Sequence, residues 1–175
     1  MTIATVDSSG RPSARVVLLK EFSKEKGFVF FTNYEGRKAQ EIANNNNVAL
    51  VFYWADIHKQ IRIEGKATKV PLTESEDYFK SRSKASQAGS AASPQSKIVE
   101  SREWLWKRNE EFLEKDSIPM PNWGGYSVDP DWIEFWQGQS NRLHDRVVFS
   151  KRGFEEDSAF IKTLSDGWQK ARLAP

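Results

Sequence analysis

Gln60-Ile61-Arg62-Ile63-Glu64-Gly65-Lys66-Ala67-Thr68-Lys69-Val70 is the stretch whose reading decides the fold. Ile61 and Ile63 point one way, while Gln60, Arg62 and Glu64 point the other. That period of two predicts a strand with one face on a core and one face of polar groups that need partners. Upstream, Val48 to Trp54 reads as a buried strand, and the Asn44-Asn45-Asn46-Asn47 run before it ends a short helix over Arg37–Asn45, with Ala39, Ile42 and Ala43 on one side. Before that helix come three strand candidates, Ile3–Val6, Ser13–Lys20 and Phe28–Thr32. They are joined by a turn over Asp7–Gly10 and a charged turn with Gly27. Two hairpin-like connections in a row argue for antiparallel pairing.

Downstream, Pro71 closes the strand. Thr73 with Glu76 fits a capping box, so a helix is expected over about Glu74–Arg82. Ser83–Ser96, rich in Ser, Ala and Gln, reads as a flexible linker too short to separate domains. Ser101–Lys115 reads as a charged amphipathic helix, ended by Pro119 and Pro121. Gly124-Gly125 opens a strand over Tyr126–Val128, and Asp129-Pro130 is expected to turn. Trp132–Gln137, Asn141–Ser150 and Trp168–Leu173 are further strands, with a polar surface excursion over Lys151–Ser165. Roughly six or more antiparallel strands with helices in the connections predict an α+β chain, mainly β, closed as a small barrel with peripheral helices. One domain over residues 1–175 is the expectation.

Composition narrows the functions. Hydrophobic residues at 38% and charged residues at 29% exclude wholesale disorder. No apolar run approaches the ~18 residues of a membrane-spanning helix. Cysteine is absent and only His58 and His144 are present, which excludes disulfides, thiolate metal sites and a cysteine nucleophile, so no metal site is expected. The N-terminus has no targeting pattern and starts abruptly on a strand, so a longer parent chain and a reducing, cytoplasmic compartment are expected. A formal charge of +2 is a weak electrostatic footprint for nucleic acid. Seven Trp and eleven Phe suit either a β-rich core or a flat-ring ligand.

Four polar clusters stand out. Arg37-Lys38 at a helix start could seat a phosphate or be a solvated basic pair. Tyr78, Arg82 and Ser86 recur every four residues, a phosphate-binding set if the helix runs on, or a core Tyr beside a surface Arg. Arg142, His144 and Arg146 would share one face of an extended segment, which calls for an anion or an electron-rich ring opposite. Trp136, beside Gln137-Gly138, is a core residue or the wall of a planar ligand. There is no P-loop, G-x-S-x-G, H-E-x-x-H or G-x-G-x-x-G pattern.

Taken together and in order, these segments resemble the pyridoxamine (pyridoxine) 5′-phosphate oxidases, FMN enzymes of vitamin B6 metabolism. The matching runs are Arg15-Val16-Val17-Leu18-Leu19-Lys20, Phe31-Thr32-Asn33-Tyr34, Arg37-Lys38, Gln60-Ile61-Arg62-Ile63-Glu64-Gly65, Tyr78-Phe79-Lys80-Ser81-Arg82, Ser86-Gln87 and Gln95-Ser96. Trp123-Gly124-Gly125-Tyr126, Glu134-Phe135-Trp136-Gln137-Gly138, Asn141-Arg142-Leu143-His144-Asp145-Arg146 and the closing Arg172-Leu173-Ala174-Pro175 complete the match. The chain departs from the family pattern at Gly36, Ala39 and Ser83, and the sequence opens on the first strand, ahead of which the family carries a further segment that can fold over the active site.

The resemblance implies a split-barrel homodimer with FMN between subunits and no nucleic-acid or membrane partner. It places FMN on Arg15, Val16, Val17, Leu18, Leu19, Lys20, Phe31, Thr32, Arg37, Lys38, Gln60, Gln95, Ser96, Trp136 and Arg146. It places a phosphorylated B6 vitamer on Lys20, Tyr78, Arg82, Ser86, Arg142, Leu143 and His144, with Arg142 and His144 nearest the chemistry. The implied reaction oxidises pyridoxamine or pyridoxine 5′-phosphate to pyridoxal 5′-phosphate, with O2 as acceptor and H2O2 as product. Two rivals remain at this point: another split-barrel flavoprotein, such as a flavin reductase or a haem-degrading relative, and a barrel that stacks single-stranded nucleic acid.

Overall fold

The computed structural model describes residues 1–175. In chain order the elements are β1 Thr2–Val6, β2 Pro12–Val16, β3 Glu21–Ser23, β4 Gly27–Asn33, α1 Arg37–Asn44, β5 Asn47–Trp54, β6 Lys59–Lys69, α2 Leu72–Ser81, α3 Lys84–Ala92, α4 Arg102–Leu113, β7 Trp123–Gln137, β8 Asp145–Ser150, β9 Lys162–Thr163 and β10 Gln169–Arg172. All strand pairs are antiparallel, and they run in the order β2-β1-β5-β6-β7-β8-β10-β9, with β4 between β3 and β7. The α+β class expected from the sequence is the one observed. No helix is long and apolar enough to cross a membrane.

The alternation in β6 sets the core. Ile63 pairs with Leu50 on one side and Ile133 on the other, and Leu50 pairs in turn with Ile3. Ile3, Leu50 and Ile63 are all buried, joined by Phe30, Tyr126 and Val128. Truncating any of these to Ala would cost about 2–5 kcal/mol. A second cluster of Phe79, Ala88, Ile118 and Trp123 fastens α2 and α3 to the start of β7.

β7 organises the molecule. Its first half pairs with β4, its second half with β8, and β6 follows it along the other edge. The expected turn at Asp129-Pro130 is therefore absent. The register shifts between Glu64 and Gly65, so that Gly65 faces Pro130, Glu64 faces Trp132, and Asp131 is the extra residue. A bulge is one of the few places where a strand accepts a proline, which has no N–H to give the ladder. Gly65 is required there, because a Cβ on it would lie 2.2 Å from the Asp129 carbonyl oxygen.

Three further expectations are corrected. Thr73 and Glu76 form no capping box, because α2 already starts at Leu72 behind Pro71 and no side chain caps it. The expected linker is mostly helix: the Ser83 hydroxyl accepts from the Ser86 N–H, and the small faces of Ala88 and Ala92 pack inward, with α3 lying along α4. The strand expected over Ser13–Lys20 ends at Val16, although the Val17 N–H still reaches the Met1 carbonyl.

Candidate functional site

Arg37 and Lys38 open α1, whose N-cap, Gly36, provides no capping side chain. Lys38 Nζ donates to Gln95 Oε1 (2.7 Å) and Thr32 Oγ1 (3.1 Å), and Thr32 Oγ1 donates to the same Gln95 oxygen (3.0 Å). Gln95 can approach only because residue 36 is glycine: a Cβ there would stand 2.5 Å from Gln95 Oε1. Burial, and then the positive charge of Arg15, hold the Lys38 ammonium below its ordinary value. Arg15 reaches this cluster through Glu41. Glu41 Oε1 accepts from Arg37 Nε (2.7 Å); Oε2 accepts from Arg15 Nη2 (3.0 Å) and from the Thr5 hydroxyl. Glu41 is only 4% exposed. Burial alone would push its carboxyl up, but the hydrogen bonds from Thr5, Arg37 and Arg15 outweigh that and hold it below the usual range.

Arg15 and Arg37 thus share the Glu41 carboxylate, while Lys38 has only the neutral Gln95 and Thr32 oxygens as hydrogen-bond partners, so three cations stand near one buried anion. The surplus of positive charge matches a phosphate monoester dianion, as does the donor set. Ser96 lies next to Gln95 in a turn with left-handed backbone, φ 67°. Val16 and Leu18, apolar but 75% and 69% exposed, lead outward along the same segment toward Lys20.

Tyr78, Arg82 and Ser86 come together beside this seat, but by a different geometry from the expected single helix. Arg82 leaves helical conformation (φ −76°, ψ 155°) between α2 and α3. Its guanidinium donates to the Ser86 carbonyl (3.0 Å) and Ser90 Oγ (2.9 Å), and lies 4.9 Å over the Trp123 ring. Burial pulls the Arg82 pKa down. Phe31 stands 4.2 Å from the Tyr78 ring centroid, and Lys20 Nζ lies 5.6 Å over that ring. A cavity of about 340 Å³ contains Arg82 and Ser86 together with Gln95, Asn33 and Trp123, so the two groups adjoin.

Gln60, Trp136 and Arg146 form one cross-strand row: Gln60 pairs with Trp136, and Trp136 with Arg146. Gln60 and Trp136 also border a mainly apolar cavity of about 490 Å³ walled by Trp54, Ile57 and Phe135, to which Arg146 does not contribute. Within one chain this row makes no hydrogen bond, ion pair or ring contact with the first two groups.

The strand expected over Asn141–Ser150 begins only at Asp145, so Arg142, His144 and Arg146 do not share a strand face. Arg142 is left-handed, φ 62°. The Asn141 side chain accepts from the Leu143 N–H (3.0 Å), and the Arg142 N–H reaches the Gln139 carbonyl (3.2 Å). Asn141 therefore turns the chain. His144 still lies against Trp136, centroids 4.9 Å apart, and its Nδ1 accepts from the Gln139 N–H (3.0 Å). A neutral His144 therefore carries its proton on Nε2.

Reading the sequence missed Glu41, Ser90, Trp123 and Glu134 as site residues. Glu41 carried a signal, its i,i+4 spacing from Arg37. Glu134 stood within an apolar strand, where only tertiary partners explain a charge.

Two family models match the chain: "Pyridoxamine 5′-phosphate oxidase" over residues 1–116, and "Pyridoxine 5′-phosphate oxidase C-terminal dimerisation region" over residues 123–175. A pyridoxine/pyridoxamine 5′-phosphate oxidase of Burkholderia pseudomallei (strain 1106a) is 50% identical over 179 residues, covering 100% of this chain and 78% of the relative. The Burkholderia thailandensis protein of the same description is also 50% identical, with the same coverage. Among solved structures, PhzG from Burkholderia lata 383, in complex with tetrahydrophenazine-1-carboxylic acid, superposes with TM-score 0.85 at 29% identity, covering 99% of this chain and 81% of that one. A pyridoxamine 5′-phosphate oxidase-related, FMN-binding protein from Nostoc punctiforme PCC 73102 shares the fold, with TM-score 0.71 at 17% identity, covering 99% of this chain and 86% of that one.

Proposed function

Because the chain belongs to the pyridoxamine 5′-phosphate oxidase family, we propose that it is an FMN-dependent oxidase that converts pyridoxamine or pyridoxine 5′-phosphate to pyridoxal 5′-phosphate. The observation that carries this reading is the adjacency of two anion seats, the Arg15–Lys38–Thr32–Gln95 cluster and the Arg82–Ser86 pocket, joined through Gln95. One fits the phosphate of FMN and the other the phosphate of a substrate laid beside it.

FMN, when bound, supplies the two-electron chemistry, taking a hydride equivalent from the substrate and passing the electrons to O2. The chain's own residues bind and orient. Arg15, Arg37 and Lys38, with Thr32, Gln95 and Ser96, hold the cofactor phosphate, and Val16 to Leu19 with Phe31 flank the rest. Lys20, Tyr78, Arg82 and Ser86 hold the substrate phosphate. Gln60, Trp136 and Arg146 complete the cofactor site from the partner subunit of a homodimer, which accounts for their separation from the other groups within one chain. Arg142, Leu143 and His144 cover the substrate ring, with His144 offering its Nε2 proton as a hydrogen-bond donor. With the alcohol, two electrons and two protons pass to O2, giving H2O2. With the amine, water also enters and ammonia leaves.

Steady-state H2O2 release from FMN-loaded protein tests this with both phosphorylated vitamers and with unphosphorylated pyridoxine. Turnover of both phosphate esters and little of the free alcohol is expected; equal rates with and without the phosphate would overturn the assignment of Arg82 and Ser86. A tricyclic carboxylic acid like the one bound to PhzG is the second reading, favoured by the closeness of that fold. It predicts oxidation of that ligand class and none of the vitamers in the same assay.

A further inference from the structure

Glu134 is 2% exposed near the C-terminal end of β7. A carboxylate in such a place is costly unless its oxygens are filled. Glu134 pairs across the sheet with Val148, so Arg146, two residues earlier on β8, lies diagonally on the same face. The two meet as a bidentate pair: Arg146 Nε donates to Oε1 (2.8 Å) and Nη2 to Oε2 (3.1 Å). Arg62, from the neighbouring β6, adds a third donor to Oε2 (3.0 Å). On its far side, Arg146 Nη1 donates to the Ala174 carbonyl (2.9 Å), and the Arg146 carbonyl accepts from the Leu173 N–H (3.0 Å). Each terminal nitrogen of the Arg146 guanidinium keeps one N–H uncommitted. The plane of the fork is therefore fixed before any ligand arrives.

We infer that Glu134 is a positioning residue for the flavin: it acts through Arg146, holding that guanidinium in the one orientation in which its free N–H groups meet the cofactor. The inference rests on the proposed function above, which makes Arg146 a cofactor contact. Arg62 shares the carboxylate but belongs to none of the cofactor groups, so its part is to compensate the charge of Glu134.

The test is a double-mutant cycle read as FMN affinity, by quenching of flavin fluorescence on titration into flavin-free protein. Glu134→Gln keeps the shape but ends the bidentate ion pair, and should weaken FMN by roughly ten- to a hundredfold. Arg146→Gln should weaken it similarly. In the Arg146→Gln background, Glu134→Gln should change the affinity by no more than about twofold, because the group it aims is gone. Arg62→Gln should stay within about twofold of the parent protein. A merely structural Glu134 would instead give losses that multiply in the double variant, and this result overturns the inference, as does full FMN affinity in Glu134→Gln. Should Glu134→Gln not fold, Glu134→Asp keeps the charge and withdraws it by one methylene. It should still weaken FMN while the melting temperature of the flavin-free protein holds; FMN affinity restored by Asp would contradict positioning. A parent protein that takes up no FMN refutes the proposed function itself, an outcome separate from a parent that binds and a Glu134 variant that binds as well.

Discussion

Replacing Arg82 by Ala separates the two anion seats most cleanly. The guanidinium donates to the Ser86 carbonyl and to Ser90 Oγ and lies over Trp123, yet it makes no hydrogen bond with Lys38, Thr32 or Gln95. If Arg82 holds the substrate phosphate as proposed, its loss removes one charge-assisted contact worth about 1.5–3 kcal/mol. At about 1.4 kcal/mol per decade, that is roughly a ten- to hundredfold rise in KM. The cation–π contact and two hydrogen bonds add a fold-stability cost of about 1–2 kcal/mol, which thermal melting of the flavin-free protein would register. The assay pairs KM for pyridoxine 5′-phosphate with FMN affinity measured on the same preparation. KM should rise while the FMN Kd stays within about threefold, because the cofactor cluster keeps all its own hydrogen bonds. If flavin and substrate affinity fell together, Arg82 would belong to the cofactor seat or the scaffold, and the two-seat reasoning would be refuted. Arg82→Lys should recover only part of the loss, since a point charge does not reproduce the planar fork.

Three other outcomes follow from the same geometry. Glu41→Gln should destabilise the flavin-free protein by about 3 kcal/mol. Separately, because the Glu41 carboxyl is held low in the fold, the ionised group contributes stability that is present above the ordinary carboxylate range and is lost as pH falls through the folded value, so the variant's melting temperature should vary less with acid. Gly36→Ala drives a methyl into Gln95 Oε1 and should weaken FMN binding at least tenfold with little change in KM at saturating flavin; unchanged FMN affinity would remove Gln95 from the seat. Because Gln60, Trp136 and Arg146 stand apart from the phosphate cluster within one chain, dilution that dissociates a dimer should release flavin in step, and a flavin-loaded monomer in sedimentation would contradict the shared site.

What the sequence made legible was local. The alternation of Ile61 and Ile63 is a property of β6 alone, and it located the sheet and its core face. Arg37-Lys38 at a helix start was readable for the same reason, and Trp136, read as core or as the wall of a planar ligand, borders a cavity. The misreadings were set at a distance. Asp129-Pro130 looks like a turn until Gly65, more than sixty residues earlier, supplies the bulge that lets the strand continue. Ser83–Ser96 has the composition of a linker, but its alanines are the small faces of a packed helix. The row of Arg142, His144 and Arg146 assumed an extended chain that the Asn141 side chain instead turns. Tyr78, Arg82 and Ser86 did converge, through a break between two helices and not along one. The buried carboxylates Glu41 and Glu134 were the hardest to foresee, because a buried charge is tolerable only once its arginines have been brought to it from other elements.

The most direct measurement of the central claim is anaerobic mixing of the flavin-loaded protein with pyridoxine 5′-phosphate, followed through the visible flavin band. If the two seats hold FMN and the vitamer phosphate as proposed, the bound flavin bleaches with the phosphorylated vitamer and recovers its colour when O2 is admitted, releasing H2O2. The flavin freed by denaturation then runs as FMN. A flavin that stays oxidised in the presence of either phosphorylated vitamer, or one released as FAD, would contradict it.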